Sequence, residues 1–454
     1  MTITRRTVMR SLGASVLGAS VLGTGVLTGC RRGRGAKKTT PPPTAQSRKI
    51  PQEQLVLASI GAGYGIANRF ERQIAAAISE AVVDVNAAYQ GVFGKPLKML
   101  ERHLMKDPGE ELGNLISTLQ KEKVSAVITS IDDDALIKSI PRFVEAGIAV
   151  IDLQTAAMAV RDPTVQHGGM LLRLAPNTKA LAITLHEEAF SGGSDKAGPP
   201  GTVAFLAEDT TVAHSLHDEL ASLLAPSGGK VVAAHFYPLG KMGDRAAIVQ
   251  KIVKAKPALL VADIPGTDAG PFLGDLYRAM LGPDGKPVQE MTKRLGPAGT
   301  IDYRDAELPV KCLEKTQGWV PGGVLSDEHI NMMLNADRNL VNLGYAYSQQ
   351  AYDAVIMLCT AAYAALSVKG AEIAAKVPPI LADGTECNDY GSCRQVMEDA
   401  LASGEQAPVH YVGRMGAVQL GTDGDPISGS LRTYSWSEQN VLEAPQDKGF
   451  ERPV

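Results

Sequence analysis

Several short patterns in this sequence carry residue types that could do chemistry. Gly61-Ala62-Gly63-Tyr64-Gly65 follows an apolar run and precedes a helical pattern, where a dinucleotide-binding turn belongs. That turn needs its third glycine at 66, which is Ile66, and an acid roughly 20 residues on; the nearest, Asp107, is about twice as far. A nucleotide-dependent oxidoreductase is therefore a weak alternative, and turn geometry accounts for the glycines. His186-Glu187-Glu188 begins like a zinc-protease helix, but Phe190 stands where the second histidine is required. His214 and His217, with Asp218 beside them, supply two metal ligands where a zinc site needs three or four, and they read as a solvated helix face. There is no Gly-x-Ser-x-Gly elbow and no phosphate loop. The patterns support no catalytic residue, no metal and no cofactor; the expectation is a protein that is not an enzyme.

The elements that position such residues begin after a distinct N-terminal region. Arg5-Arg6 precede Ser11 to Thr28, an apolar stretch too short and too rich in Gly and Ser for a spanning helix. A basic start, an apolar middle and small residues before a cut describe an export signal over 1–29. The arginine pair resembles a twin-arginine signal, and Leu27-Thr28-Gly29-Cys30 resembles a bacterial lipobox, in which Cys30 becomes the lipidated first residue. The rest of 30–50, with three consecutive prolines, reads as a disordered basic tether beside a membrane. The first 50 residues hold ten Lys and Arg and no acid, so the formal charge of -4 separates into this leash and a body carrying 35 basic and 49 acidic residues, net -14. A body that acidic excludes nucleic acid as its partner. An exported chain with four further cysteines favours disulfides: Cys387 with Cys393 across a short polar stretch, and Cys312 with Cys359 by elimination.

From residue 54 onward, short apolar runs alternate with helical patterns. Candidate strands are 54–60, 96–104, 124–130 and 148–153, then 202–208, 230–237 and 257–264. Ile66, Phe70, Ile74, Ile78, Val82 and Val85 recur at helical spacing, as do Val212, Leu216, Leu220 and Leu224. Such alternation predicts an α/β protein of two lobes, each a mostly parallel sheet flanked by helices, with ligands at the carboxyl ends of the strands. A long helix at 345–368 and a strand-like tail at 416–436 belong to neither set, so C-terminal chain must return to complete the first lobe.

The order and spacing of several pieces resemble the type I periplasmic binding fold, specifically the branched-chain-amino-acid-type (leucine-binding-protein-like) substrate-binding lipoproteins of ABC transporters. These pieces are 75–97, Lys123-Val124-Ser125-Ala126-Val127-Ile128, Ala146-Gly147-Ile148-Ala149-Val150-Ile151, Gln350-Ala351-Tyr352-Asp353-Ala354-Val355 and Asp423-Gly424-Asp425. The resemblance implies lobe 1 over 51–175 plus 321–425, lobe 2 over 176–320 plus 426–454, and a three-strand hinge that closes on a small ligand. It also implies transport: a monomer capturing an amino acid or related amine or amide, partnered by ABC permease subunits, and held by Cys30 to a bacterial membrane facing periplasm or exterior. Its ligand-binding positions map onto Tyr64, Ser130, Asp132, Asp133, Gln154, Thr155, Asp209, Thr211 and Asp263. At 131–134 the usual Ser/Thr-Gly run is replaced by Ile131-Asp132-Asp133-Asp134, and the tyrosine expected near 211 is absent. These acids suit a helix N-terminus; facing the cleft, they would repel a carboxylate and favour a cationic or polyhydroxyl ligand. The departures also motivate an alternative, an envelope interaction or sensor lipoprotein that keeps the fold without transport.

Overall fold

Val56–Ala62 (β1) is buried over its whole length, as a parallel strand covered on both faces must be. A 3-10 turn at Ala67–Phe70 leads into Glu71–Ala87 (α1), whose Ile74, Ala77, Ile78, Ala81 and Val85 form the buried stripe that the spacing predicts. The computed structural model describes residues 50–191, 195–403 and 408–452. The export signal, Cys30 and the tether, apart from Ile50, lie outside the described residues.

The second expected strand is broken. Lys98–Met99 (β2) and His103–Met105 (β3) lie end to end along one edge of β1. Arg102, in the gap, turns inward onto Glu71, its Nε and Nη2 donating to Oε2 at 2.9 and 2.6 Å. Gly113–Lys121 (α2), Ala126–Ser130 (β4), Asp133–Glu145 (α3), Ala149–Asp152 (β5) and Leu171–Arg173 (β6) follow. The sheet runs β2-β1-β4-β5-β6, parallel throughout.

The second sheet is built from Thr178–Ser191 (α4), Thr202–Glu208 (β7), Thr211–Leu224 (α5), Lys230–Tyr237 (β8), Arg245–Ala255 (α6), Leu259–Asp263 (β9), Gly266–Ala279 (α7), Thr292–Leu295 (β10) and Thr316–Pro321 (β11). Its parallel strands run β11-β10-β9-β7-β8. The chain then returns to the first sheet through Asp327–Ala336 (α8), Leu340–Leu343 (α9) and Ser348–Ala365 (α10). Helix α10 is buried from Ser348 to Tyr363 and belongs to the same apolar cluster as β1 and α1. Its Asp353 is tolerated there because Tyr411 Oη and the amides of Arg414 and Met415 donate to it. Gly370–Ala374 (α11), Val377–Ile380 (α12), Thr385–Cys387 (β12), Tyr390–Ser403 (α13) and Val409–Tyr411 (β13) complete this region. Gln419–Leu420 (β14), Pro426–Tyr434 (β15) and Gln446–Glu451 (β16) finish the second sheet, β15 running antiparallel to β11.

The chain passes between the two sheets at 174–177, at 322–326 and, ahead of β14, at 412–418. In the turn from β14 to β15 Gly424 has φ +79°, and a Cβ there would stand 2.4 Å from the Leu171 carbonyl oxygen, so only glycine lets the chain lie this close to β6. Asp425 follows, fully buried. It accepts from Arg173 Nε at 2.7 Å, Arg161 Nε at 2.8 Å and Asn177 Nδ2 at 3.0 Å, and from Arg173 Nη2 as well. The two guanidinium groups hold its carboxyl far below the usual carboxylate range, against the opposing effect of burial.

Cys387 and Cys393 are joined, with Cα atoms 5.0 Å apart. The expected pairing of Cys312 with Cys359 is corrected: both are free and buried, Cys312 in the core of the second sheet and Cys359 in that of the first. Elimination failed because each thiol is taken up as a small apolar group in a separate core. Burial pushes Cys312 up to about 11 and Cys359 higher still. Neither thiol is expected to react with an aromatic disulfide reagent in the folded protein, and both to react in denaturant; rapid native labelling of either would contradict this placement.

Candidate functional site

Between the lobes lies a cleft of about 210 Å³, room for roughly seven waters at liquid density. It is lined from the first lobe by the β1–α1 turn and the ends of β4 and β5, and from the second by the ends of β7 and β9. Eight of the nine residues singled out in the sequence line it, Ser130 being the one that does not. Ser130 is fully buried, donating from Oγ to Glu71 Oε1 at 2.6 Å and accepting from Arg102 Nη2. An ion pair assembled from distant sequence has captured the hydroxyl.

Each lining residue has its own state. Asp132 caps α3, its Oδ1 accepting from the Ala135 amide at 2.8 Å and its Oδ2 from the Tyr64 hydroxyl. Asp133 is buried, and its Oδ1 accepts from the amides of Ala156 and Ala157 at 3.2 and 2.8 Å. Burial nevertheless pushes its carboxyl up to about 7. Thr155 spends its hydroxyl on Asp152 Oδ2 at 2.5 Å. The Nε2 of Gln154 is buried with no partner. Asp209 turns toward solvent and pairs with His214 at 2.7 Å, while that imidazole stacks on Phe236. Thr211 donates to Asp134 Oδ1 at 2.7 Å, joining the rims of the two lobes. The Met158 amide makes a second such contact, donating to Ser215 Oγ at 3.1 Å.

The far wall gathers groups that the sequence marked faintly. Glu208 ends β7 and is 3% exposed. Its Oε1 accepts from the Gly240 amide at 2.7 Å, and its Oε2 has no partner. Asp263 ends β9, in register with Ala207 beside Glu208. It accepts no hydrogen bond among the described residues, and burial together with Glu208 pushes its carboxyl up to about 6. Phe70, Trp319 and Tyr347 supply an aromatic lining. Tyr347 precedes α10 in the left-handed region, at φ +63°, and its ring meets Phe70 edge-on at 4.9 Å. A non-glycine residue held this way marks a site where strain is tolerated for placement. The signal for Tyr347 was its position at the start of the 345–368 helix, which no local pattern ties to the cleft.

Gly61 of the Gly61-x-Gly63 pattern lies within β1, where a Cβ would stand 2.1 Å from the Glu71 carboxylate, so packing against the chain's own side chain accounts for that glycine. Among the described residues, no group of three His, Cys, Asp or Glu side chains is placed to hold a metal.

Residues 59–291 match the family model described as periplasmic binding protein. The chain belongs to that family. Its fold is the type I periplasmic binding fold of solved relatives. A leucine-binding protein LivK from Thermotoga maritima matches with a TM-score of 0.62 at 14% identity, covering 88% of this chain and 99% of its own. The branched-chain amino acid transporter substrate-binding protein LivJ from Streptococcus pneumoniae, in complex with isoleucine, matches with a TM-score of 0.59 at 14% identity, over 87% and 100%. A solute-binding protein of an ABC transporter from Rhodopseudomonas palustris, in complex with p-hydroxybenzoic acid, gives 0.64 at 14%, over 88% and 98%. No curated protein matches by sequence.

Proposed function

We propose that this protein is the exported solute-binding component of an ABC importer, lipid-anchored through Cys30. On this reading it captures a small polar ligand, an amino acid or related amine or amide, by closure of the two lobes about their three passages. The observation that carries this is the cleft itself, lined by strand ends from both lobes and holding a carboxylate oxygen, Glu208 Oε2, without a partner. Solvent-sized space and unsatisfied polar groups are what a ligand site retains and a filled pseudo-site loses. That supports transport over the interaction-protein alternative. The relatives solved with isoleucine and p-hydroxybenzoic acid support the ligand's size class. The mechanism is binding, with closure driven by the ligand's greater affinity for the closed form.

The test is a thermal-shift screen of amino acids, amines, amides, purines and short sugars, followed by product analysis of every hit. At least one compound is expected to raise the melting temperature with a saturating dose response and to be recovered unchanged. A folded protein that no class of solute stabilises would sink the reading.

A further inference from the structure

The carboxyl groups lining the cleft are those of Asp132, Asp133, Asp134, Glu208, Asp209 and Asp263; no lysine, arginine or histidine is among the lining residues. We propose, resting on the solute-binding reading above, that the cleft selects an organic cation without a carboxylate, an amine or guanidine on a short apolar body. The acids alone would not carry this, since carboxylates at helix N-termini commonly serve as caps. Two further observations do.

The first is where acceptor capacity is left over. Asp132, Asp133, Asp134 and Asp209 each have an internal donor. Glu208 Oε2 is buried without a partner, and Asp263, at the end of the neighbouring strand, accepts nothing among the described residues. Two adjacent, under-satisfied carboxylates form a receptor for a group with several N–H donors and positive charge. The second is that the places suited to an anion are filled by the chain itself, the unpartnered Nε2 of Gln154 excepted. The Ala156 and Ala157 amides are taken by Asp133, the N-terminus of α3 by Asp132, and the Thr155 hydroxyl by Asp152. Beyond the Gln154 amide, a ligand carboxylate would meet acids where it needs donors, and a single neutral N–H does not offset six carboxyl groups. The apolar part of the ligand has Phe70, Leu181, Trp319 and Tyr347 to rest against, and aromatic faces add attraction for a cation.

The charged and titratable groups acting on this pair come from every surrounding element. Glu208 acts on Asp263 across β7 and β9, while Asp268 of α7 and Arg69, from the 3-10 turn, act on Glu208 through space in opposite directions. Tyr237 of β8, hydrogen-bonded to Asp268 of α7, and Tyr347 before α10 present neutral phenols. Lowering the pH through about 6 protonates Asp263, so a cation that needs both carboxylates ionised binds more weakly in acid.

The test uses three probes of one shape and different charge on the purified chain: 3-methylbutylamine, leucine and 4-methylpentanoate. Binding is read by calorimetry and by the emission of Trp319, which lines the cleft while Trp436 is buried in a core. At pH 8 the amine is expected to bind at least tenfold more tightly than leucine, with no binding of the acid, and to lose about tenfold by pH 5. Glu208→Gln and Asp263→Asn should each weaken the amine about tenfold or more while retaining the native circular dichroism spectrum. Leucine or the acid binding as tightly as the amine overturns the cationic assignment and leaves solute binding standing. No binding by any probe, with no hit in the wider screen, overturns both.

Discussion

Asp425→Asn is expected to destabilise the protein by about 3–5 kcal/mol, the range for removing one partner of a buried ion pair. Two guanidinium groups converge on this carboxylate. Arg173 is fully buried and Arg161 nearly so, with side-chain exposures of 0% and 6%. Asparagine keeps the shape but removes the charge, and its amide presents N–H where an acceptor is required. Arg173 also feels Asp133 and Asp152, so the loss falls short of leaving a bare buried charge. Combining Asp425→Asn with Arg173→Met should recover part of the loss, because the second change removes the stranded cation. Equilibrium urea unfolding measures this; a single-variant loss below about 1 kcal/mol would show that the network is dispensable.

The pH dependence follows from the direction of the shift. The folded carboxyl titrates far below its unfolded value of about 3.9. Its stabilisation is therefore fully present above that unfolded value and is lost as the pH falls below it. The gap between wild type and Asp425→Asn should stay level from about pH 5 to 8 and narrow below about pH 4. Because Asp425 sits in the β14–β15 turn of the second sheet, Asn177 in the first passage, and Arg161 and Arg173 in lobe one, the same variant should also loosen the hinge.

The strand–helix rhythm was legible because buried parallel strands read as uninterrupted apolar runs: β7 and β8 appear at 202–208 and 230–237, as the sequence suggested. Strand β10 was not legible. It reads Thr-Lys-Arg-Leu, yet Lys293 is 4% exposed and donates to the Glu314 carbonyl, while Arg294 pairs with Glu188. A central strand written in basic residues is possible only when partners from other elements neutralise them, and a local pattern cannot show that. The cleft divides in the same way. Positions at strand ends were readable because topology puts them there. The direction of each side chain was not: Glu71 and Arg102 decide Ser130, and His214 takes Asp209. Trp319 of β11 and Tyr347 before α10 reach the cleft through packing that only the assembled lobes define.

Asp263→Asn should stabilise the ligand-free protein by about 1–3 kcal/mol at pH 7.5. Burial and the Glu208 charge both oppose ionisation and push the carboxyl up to about 6, from an ordinary value of about 3.9. A carboxyl raised in the folded state contributes no penalty below its unfolded pKa, destabilises progressively as the pH rises from there to its folded pKa, and by a constant amount above it. The shift corresponds to roughly 3 kcal/mol at full ionisation, and partial solvent access reduces it. Asparagine removes that cost above pH 6 and changes little at pH 4, where the native side chain is neutral as well. Glu208→Gln should act in the same direction but less, and the double variant should gain less than the sum, since removing either charge relieves the other. Urea unfolding at both pH values reads the difference. Loss of stability at pH 7.5, equal in size at pH 4, would mean that Asp263 is a well-partnered structural group. A gain confined to neutral pH means the reverse: an empty protein made more stable by deleting a cleft carboxylate is holding that charge for something it binds.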